Sequence, residues 1–480
     1  LKALIKSTAA FGSTELALTI VAFIKNKYLA VAIGTDGFGI YSLLTSFFDF
    51  FILFAGGWLA TPTMKYISEF RGKKDHSNIQ ESINFSFSLS FYSSIVFVIL
   101  FFAFSGFFIA NFLSSEIAFE YYALFAASFL GTCLSNIMQA YFQGMLMVKE
   151  TVFRRILIRI FDLVSIVLLV LLFNLLGFFI NILLVSIFGF FIFFWQIKKY
   201  RPRLVFPDFK NEINRKIISF ACVNFFLSFF DMLSLYLQRL LITRYVNISA
   251  LGLYRAAIVL NNYLGLVSRS SQFYYFSSMA EDISSIERNK RLDDYLKMVV
   301  LSSILTFIPL ILFSDIIIPF LFSGNFISLS PILYVFIIAQ YLLGVQLGIQ
   351  AIIVGLVRLK IYAIVTLLAY FLMVAIPYFL LKKIGIISLG IAAIVASFEQ
   401  IVILSIYLNK RDNVRFSNYS SFLIFTGLLL VTLSILISRF FISWRILFCS
   451  FNTILVFFLM TSEDRKKIFD LMKNFFCKKY

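Results

Sequence analysis

Histidine occurs once in 480 residues, cysteine four times and proline seven times. Cys133, Cys222, Cys449 and Cys477 are dispersed, form no CxxC pair and have no histidine beside them. That pattern argues against a disulfide framework and against a zinc centre. The one histidine, His76, sits in a polar loop at Arg71–Asn78, so a histidine proton relay is not expected. Charge is scarce as well. Only 14% of residues are charged while 61% are hydrophobic, against about 25% charged in a soluble globular domain. No stretch reads GxxxxGK[ST], which removes the phosphate-cradling loop that ATP hydrolysis would need. No nucleophile–base pair and no metal-ligand set can be assembled, so no catalytic or metal-binding residue is assigned and no cofactor beyond a coupling ion is expected. A soluble enzyme, a disordered chain and a nucleic-acid binder are thereby excluded. The composition leaves an all-α polytopic membrane protein.

A membrane-spanning helix needs roughly 20 mostly apolar residues. Fourteen stretches qualify: 5–33, 40–67, 83–112, 118–145, 153–173, 177–197, 216–243, 251–279, 295–322, 329–356, 361–381, 385–408, 419–438 and 442–461. The first run is too long for a cleavable signal peptide and carries Glu15 and Lys25. An even number of spans puts both ends of the chain on one side. Of the 42 Lys and Arg, thirty fall in one set of loops and ends. Eight fall on the opposite side (Lys25, Lys27, Arg239, Arg244, Lys382, Lys383, Arg439, Arg445) and four within spans (Lys65, Arg159, Arg255, Arg269). The positive-inside rule then places both termini in the cytoplasm. The longest polar stretch, about 198–214 with Pro202, Pro207 and Asp208, follows the sixth span and reads as a linker. The expected organisation is a six-helix bundle over 1–200, a cytoplasmic linker over 201–215 and a second six-helix bundle over 216–408. Two further helices and a basic tail occupy 409–480.

Two local matches point to duplication. Gly37-Phe-Gly39-Ile-Tyr41 corresponds to Ala250-Leu-Gly252-Leu-Tyr254 at an offset of 213, and Gln139-Ala140-x3-Gly144-x4-Lys149 to Gln350-Ala351-x3-Gly355-x4-Lys360 at 211. Both relate span n to span n+6. Because six is even, the halves point the same way, as parallel repeats about an axis along the membrane normal. Carriers built from such halves place their substrate between them.

Ionisable side chains inside a membrane are costly and become functional candidates by default. Arg255, Asn262 and Arg269 are spaced by seven and seven, hence on one helix face. The repeat offset maps them to Ser42, Asp49 and Gly56 on the second span. Glu15 and Lys25 on the first span have counterparts in Asp231 and Arg239 on the seventh. Arg159 and Asp162 stand at i, i+3 and are expected to neutralise each other. Glu399, beside Gln400 in the twelfth span, has no evident partner, and Pro377 is expected to kink the eleventh. Lys25, Arg239, Arg255, Arg269, Asn262 and Asp49 are therefore substrate-cavity candidates; Glu15, Asp231 and Glu399 are candidates for a coupling H+ or Na+. Amides at Asn136, Gln139, Gln143, Gln340, Gln346 and Gln350 suit sugar hydroxyls and equally suit helix–helix hydrogen bonds. Arginine suits a pyrophosphate, which it grips bidentately.

With Lys25, the turn GTDGFG over Gly34–Gly39, Tyr41 and the loop Ser68–Asp75 (SEFRGKKD), the chain resembles the Wzx-type O-antigen flippases. These lie within the multidrug/oligosaccharidyl-lipid/polysaccharide exporter superfamily. The likeness is strongest in the first 75 residues. The resemblance implies a 12- or 14-helix fold whose two bundles form a V-shaped central cavity. It also implies ion-driven alternating access, with undecaprenyl-pyrophosphate-linked oligosaccharide moving from the cytoplasmic to the periplasmic leaflet of the bacterial inner membrane, as a step in lipopolysaccharide biosynthesis. By position Lys25 is the best match to the family's cavity residues; Arg255 and Arg269 match by general location. A polysaccharide polymerase and a chain-length regulator are the implied protein partners, beside membrane lipids and with no nucleic acid. Three alternatives stay open: a drug antiporter of the same superfamily, a lipid II flippase, and a membrane polymerase, which would be an enzyme. The last usually carries a large periplasmic loop, absent from this chain.

Overall fold

The computed structural model describes residues 2–106, 119–197, 201–279, 284–356 and 358–459, with side chains from Ala17 onward except at 119–121, 148–149, 175, 196, 223, 273–274 and 276–278. Helices are the only regular elements among them. A chain with no water to satisfy its backbone has no other way of crossing a bilayer in runs this long. In chain order they are α1 (Lys2–Ala55), α2 (Ala60–Gly72), α3 (His76–Ala103), α4 (Phe119–Gly144) and α5 (Val148–Gln196). Then follow α6 (Glu212–Tyr245), α7 (Ile248–Leu264), α8 (Leu266–Met279), α9 (Ser285–Leu312) and α10 (Ser314–Leu321). The remainder are α11 (Ser330–Gly355), α12 (Leu359–Ile384), α13 (Ile387–Asp412), α14 (Asn418–Ile437) and α15 (Ile442–Leu459).

A straight α1 would measure about 80 Å, far beyond the roughly 30 Å of hydrocarbon. It is not straight. Gly34, at φ +64° and ψ −166°, divides it into two helices, a conformation that side chains with a Cβ resist. Its two limbs take the places of the first two expected spans. Asn174 (φ 48°, ψ −124°) divides α5 in the same way, into the fifth and sixth. Among the described residues, twelve helices are long and apolar enough to cross a membrane, or thirteen with the bent pair α7–α8 taken as one span. Dividing the first of them at Gly34 accounts for all fourteen.

Three boundaries differ from expectation. The second span stops at Ala55, not 67, because Gly56 (φ 137°) and the 3-10 turn Gly57–Leu59 interrupt it and α2 starts afresh. The eighth is broken after Leu264 with a bend of 51°. The ninth stops at Leu312, where Phe313 leaves helical geometry, and α10 is separate. α12 runs through Pro377 as one helix.

Contacts divide the chain into two compact units, one of residues 20–29 and 41–237 and the other of 1–19, 30–40 and 238–480. They are termed here the N-terminal and C-terminal units. The N-terminal unit is organised by aromatic rings. Phe47 packs against Phe51, Phe101, Phe125 and Tyr236, and Phe101 stacks on Tyr122 with centroids 4.3 Å apart. A second apolar cluster joins Ile67 and Phe70 of α2, Ile79 and Ile83 of α3, and Ile137 and Met138 of α4.

In the C-terminal unit the buried Tyr295 of α9 stacks on Tyr275 and donates to the Gly344 carbonyl of α11 at 3.1 Å. Tyr341 of α11 donates to the Ile424 carbonyl of α14 at 2.8 Å. Here too two helices cross closely. A Cβ on Gly39 would stand 2.2 Å from the Ile248 carbonyl oxygen, and one on Gly252 2.0 Å from that of Thr35. Ser249 donates to Thr35 at 2.9 Å across the same contact. The two glycines are repeat equivalents at the offset of 213, and they pack on each other.

Candidate functional site

The C-terminal unit gathers most of the cationic candidates. Arg239 on α6 is buried. Its neighbour Gln238 accepts a 2.8 Å hydrogen bond from the Tyr254 hydroxyl on α7, and both Arg239 and Arg255 act electrostatically on that hydroxyl. About three turns further on, the helix breaks at Gly265. The break frees the Asn262 carbonyl from helical pairing. One guanidinium nitrogen of Arg269, Nη2, donates to both the Asn262 carbonyl and its side-chain Oδ1, each at 3.0 Å. Asn262 and Arg269, seven residues apart, thus meet across the bend, and both remain exposed. A Cβ at Gly265 would lie 2.6 Å from Gln340 Nε2 and 2.7 Å from Arg269 Nη2, so a side chain there would displace the ends of both. Broken helices whose ends face polar groups are a recurrent way to build a midplane binding site.

Lys25 belongs to the N-terminal unit and is not an open cation. Its Nζ lies 2.9 and 2.7 Å from the two carboxylate oxygens of Asp162 on α5. Asn181, on the other limb of α5, donates to Asp162 Oδ1 at 2.9 Å, and Ser165 donates to Asn181. Asp162, Ser165 and Asn181 are buried. The expected Arg159–Asp162 pairing gives way to this one: Arg159 faces outward while Lys25 reaches in from a neighbouring helix. Asn181 and Ser165 were not singled out from the sequence; only the fold of α5 at Asn174 brings them to Asp162. Of the remaining candidates, Asp49 is exposed on α1 and Asp231 half-buried on α6, both in the N-terminal unit. The side chain of Glu15 lies outside the described residues.

Glu399 on α13 has both carboxylate oxygens buried with no hydrogen-bond partner among the described residues. Its neighbour Gln400 accepts from Gln346 Nε2 at 3.0 Å and Gln350 Nε2 at 2.6 Å, both on α11. Two of the sequence's amide candidates are thus spent on joining helices. The loop SEFRGKKD is also occupied with local structure. Lys73 donates to Glu69 at 2.6 Å and holds that carboxyl below the usual carboxylate range, and Asp75 caps α3 by accepting from the Asn78 backbone N–H.

Several solved structures share this architecture. A lipid II flippase, MurJ, in an inward closed conformation aligns over 96% of this chain and 100% of its own, with a TM-score of 0.76 and 15% identity. An inward-facing multidrug resistance MATE family transporter of the MOP superfamily aligns over 82% and 95%, with a TM-score of 0.67 and 15% identity. A MOP superfamily transporter from Pyrococcus furiosus, described as having a binding pocket of reverse polarity, aligns over 83% and 96%, with a TM-score of 0.59 and 14% identity. The fold is therefore that of the MOP superfamily transporters. The polysaccharide biosynthesis protein family matches residues 4–273, more than half of the sequence, and the chain belongs to that family. No curated protein matches it.

Proposed function

We propose that this protein is the flippase for an undecaprenyl-pyrophosphate-linked O-antigen oligosaccharide, carrying it by alternating access from the cytoplasmic to the periplasmic leaflet of the bacterial inner membrane. Membership of a polysaccharide biosynthesis family supports the cargo class. The observation that carries the reading is Arg269, exposed yet held in place by Asn262 at the α7–α8 break. A guanidinium fixed this way meets a pyrophosphate with little further loss of side-chain freedom. Arg239 and Arg255 add positive potential in the same unit. The flipped unit would pass to a polymerase and its chain-length regulator.

We assign the coupling ion to a proton on Glu399. An ionised carboxylate buried without a partner is costly, and none of the helices packed against α13 places a cation along its middle. α11 carries only Tyr334 and Tyr341 as titratable groups, and α12 has Lys360, Lys382 and Lys383 at its ends with Tyr362, Tyr370 and Tyr378 between.

The decisive experiment is deletion of the gene with analysis of lipid-linked oligosaccharides. Complete undecaprenyl-linked units accumulating inside, with surface O-antigen lost and restored by the wild type but not by Arg269→Gln, is the expected result. Arrested lipid II export would move the cargo to lipid II. Normal surface polysaccharide with altered drug sensitivity would replace the reading by a drug antiporter.

A further inference from the structure

The segment joining α5 to α6 is more than a linker. Residues 201–208 run extended along the first turns of α3, in the N-terminal unit. Gln80 donates to the Arg201 carbonyl at 2.9 Å. Asn84 accepts from the Arg203 N–H at 2.9 Å. Ser88 donates to the Arg203 carbonyl at 3.2 Å and accepts from the Val205 N–H at 3.0 Å. The match is metrical: four helical residues advance about 6 Å and two extended residues about 6.6 Å. Residues 80, 84 and 88 therefore read every second unit of the strap. Pro202 and Pro207 are buried, and Phe206 and Phe209 pack against Tyr92 and Phe85 of α3. Irregular backbone can lie against lipid only where its polar groups are satisfied by protein, and this ladder satisfies them on the α3 side.

What the strap shows to the outside is a mixture that water does not favour. Phe206 is 86% exposed and Leu204 51%, beside the exposed Arg201 and Arg203. Next to it, Phe188, Phe191, Ile192, Phe194 and Trp195 of α5 form with Arg201 an open groove of about 540 Å³. Trp195 is 80% exposed. Tryptophan beside arginine is the composition of a membrane–water interface. The positive-inside count puts this interface on the cytoplasmic leaflet, where anionic lipids hold juxtamembrane Lys and Arg. The Arg201 Nε is anchored on the Ile197 carbonyl at 3.1 Å, which fixes the guanidinium at the mouth of the groove.

We propose that the strap and the end of α5 form a seat for an anionic phospholipid of the bilayer. Its phosphate rests on Arg201 and Arg203, and an acyl chain lies along the aromatic groove. The seat is independent of the transported cargo, so the flippase reading can fail without it. The test uses the full chain purified in detergent, with phosphatidylglycerol and phosphatidylcholine of identical acyl chains as probes. Lipid retained in native mass spectrometry and the thermal midpoint are read in parallel. Wild type is expected to retain phosphatidylglycerol over phosphatidylcholine and to melt higher with it. Retention should fall about fivefold for each arginine removed in Arg201→Gln and Arg203→Gln, and also in Trp195→Ala. Lys210→Gln, which removes one charge just beyond the strap, should leave the preference intact. The proposal is overturned if the double arginine variant keeps the wild-type preference or if wild type shows none. It is equally overturned if Lys210→Gln abolishes the preference as fully, which would make it a bulk-charge effect. Displacement of phosphatidylglycerol by undecaprenyl diphosphate at equal concentration would assign the groove to the cargo lipid instead, and overturn it.

Discussion

A lysine in a membrane helix can serve a ligand or a neighbour, and the two roles leave different signatures on mutation. Lys25 is engaged by both oxygens of Asp162. Removing it strands a buried carboxylate, which costs about 3–5 kcal/mol. Lys25→Met should therefore lower protein yield and thermal midpoint as well as any transport. The double variant Lys25→Met/Asp162→Leu should recover yield and midpoint, because no buried charge is left unpaired. If the double variant folds and still exports polysaccharide, Lys25 is a structural cation; if it folds and does not, the lysine also serves the cargo. Equal yields of wild type and the single variant would contradict the pairing. Glu399 invites the opposite expectation. Glu399→Gln replaces an unpartnered acid by a neutral group, so the midpoint should hold or rise while transport loses its response to an imposed pH gradient. An undiminished response would remove Glu399 from coupling. Both residues stood out in the sequence as charges among apolar neighbours. The partner of Lys25 did not, since spacing alone satisfies Asp162 with Arg159 on its own helix and only tertiary contact decides otherwise.

Breaks in helices carry more of this fold than their lengths do. Gly34, Asn174 and Gly265 each sit where a long apolar run must turn or bend, and apolar length alone shows that a run exceeds one span without showing where it folds. Gly34 was legible because it opens the GTDGFG turn. The break at Gly265 was not: spacing by seven put Arg255, Asn262 and Arg269 on one straight face, whereas Arg269 folds back onto Asn262 across a 51° bend. The Gly39–Gly252 crossing was half legible, as a repeated motif whose two copies turn out to touch. At 2.2 and 2.0 Å a methyl group has nowhere to go. Gly39→Leu or Gly252→Leu must separate the helices, a change costing at least about 1–3 kcal/mol by the usual cost of overpacking. Gly72→Leu, at the end of α2, would meet nothing within 4 Å. Yield of folded protein on size exclusion should therefore rank Gly72→Leu above both others. Equal yields would show that the crossing yields without strain.

For the whole molecule, the placement of every loop depends on one residue. If Gly34 is a true reversal, residues 35–37 face one side of the membrane and the loop 72–75 the other, fourteen spans follow, and the thirty-to-eight charge distribution puts both termini in the cytoplasm. If α1 were a single bent span, the parity of every later segment would change and the basic loops would face the periplasm, against the charge rule. Length supports the reversal, since about 80 Å of helix cannot be stretched across roughly 30 Å of hydrocarbon. Asp36 is exposed at the turn and Lys74 exposed in the loop, so cysteines at the two positions can be compared in a background without native cysteines. Asp36→Cys should react with a membrane-impermeant maleimide in intact spheroplasts. Lys74→Cys and Lys410→Cys should react only after permeabilisation, and Lys383→Cys, at the other end of the α12–α13 hairpin, should behave like Asp36→Cys. Labelling of Lys74→Cys from outside would invert the topology. Labelling of Asp36→Cys and Lys74→Cys from the same side would reduce the count by a span, and with it remove the parallel relation between halves on which the repeat at Gly39 and Gly252 depends.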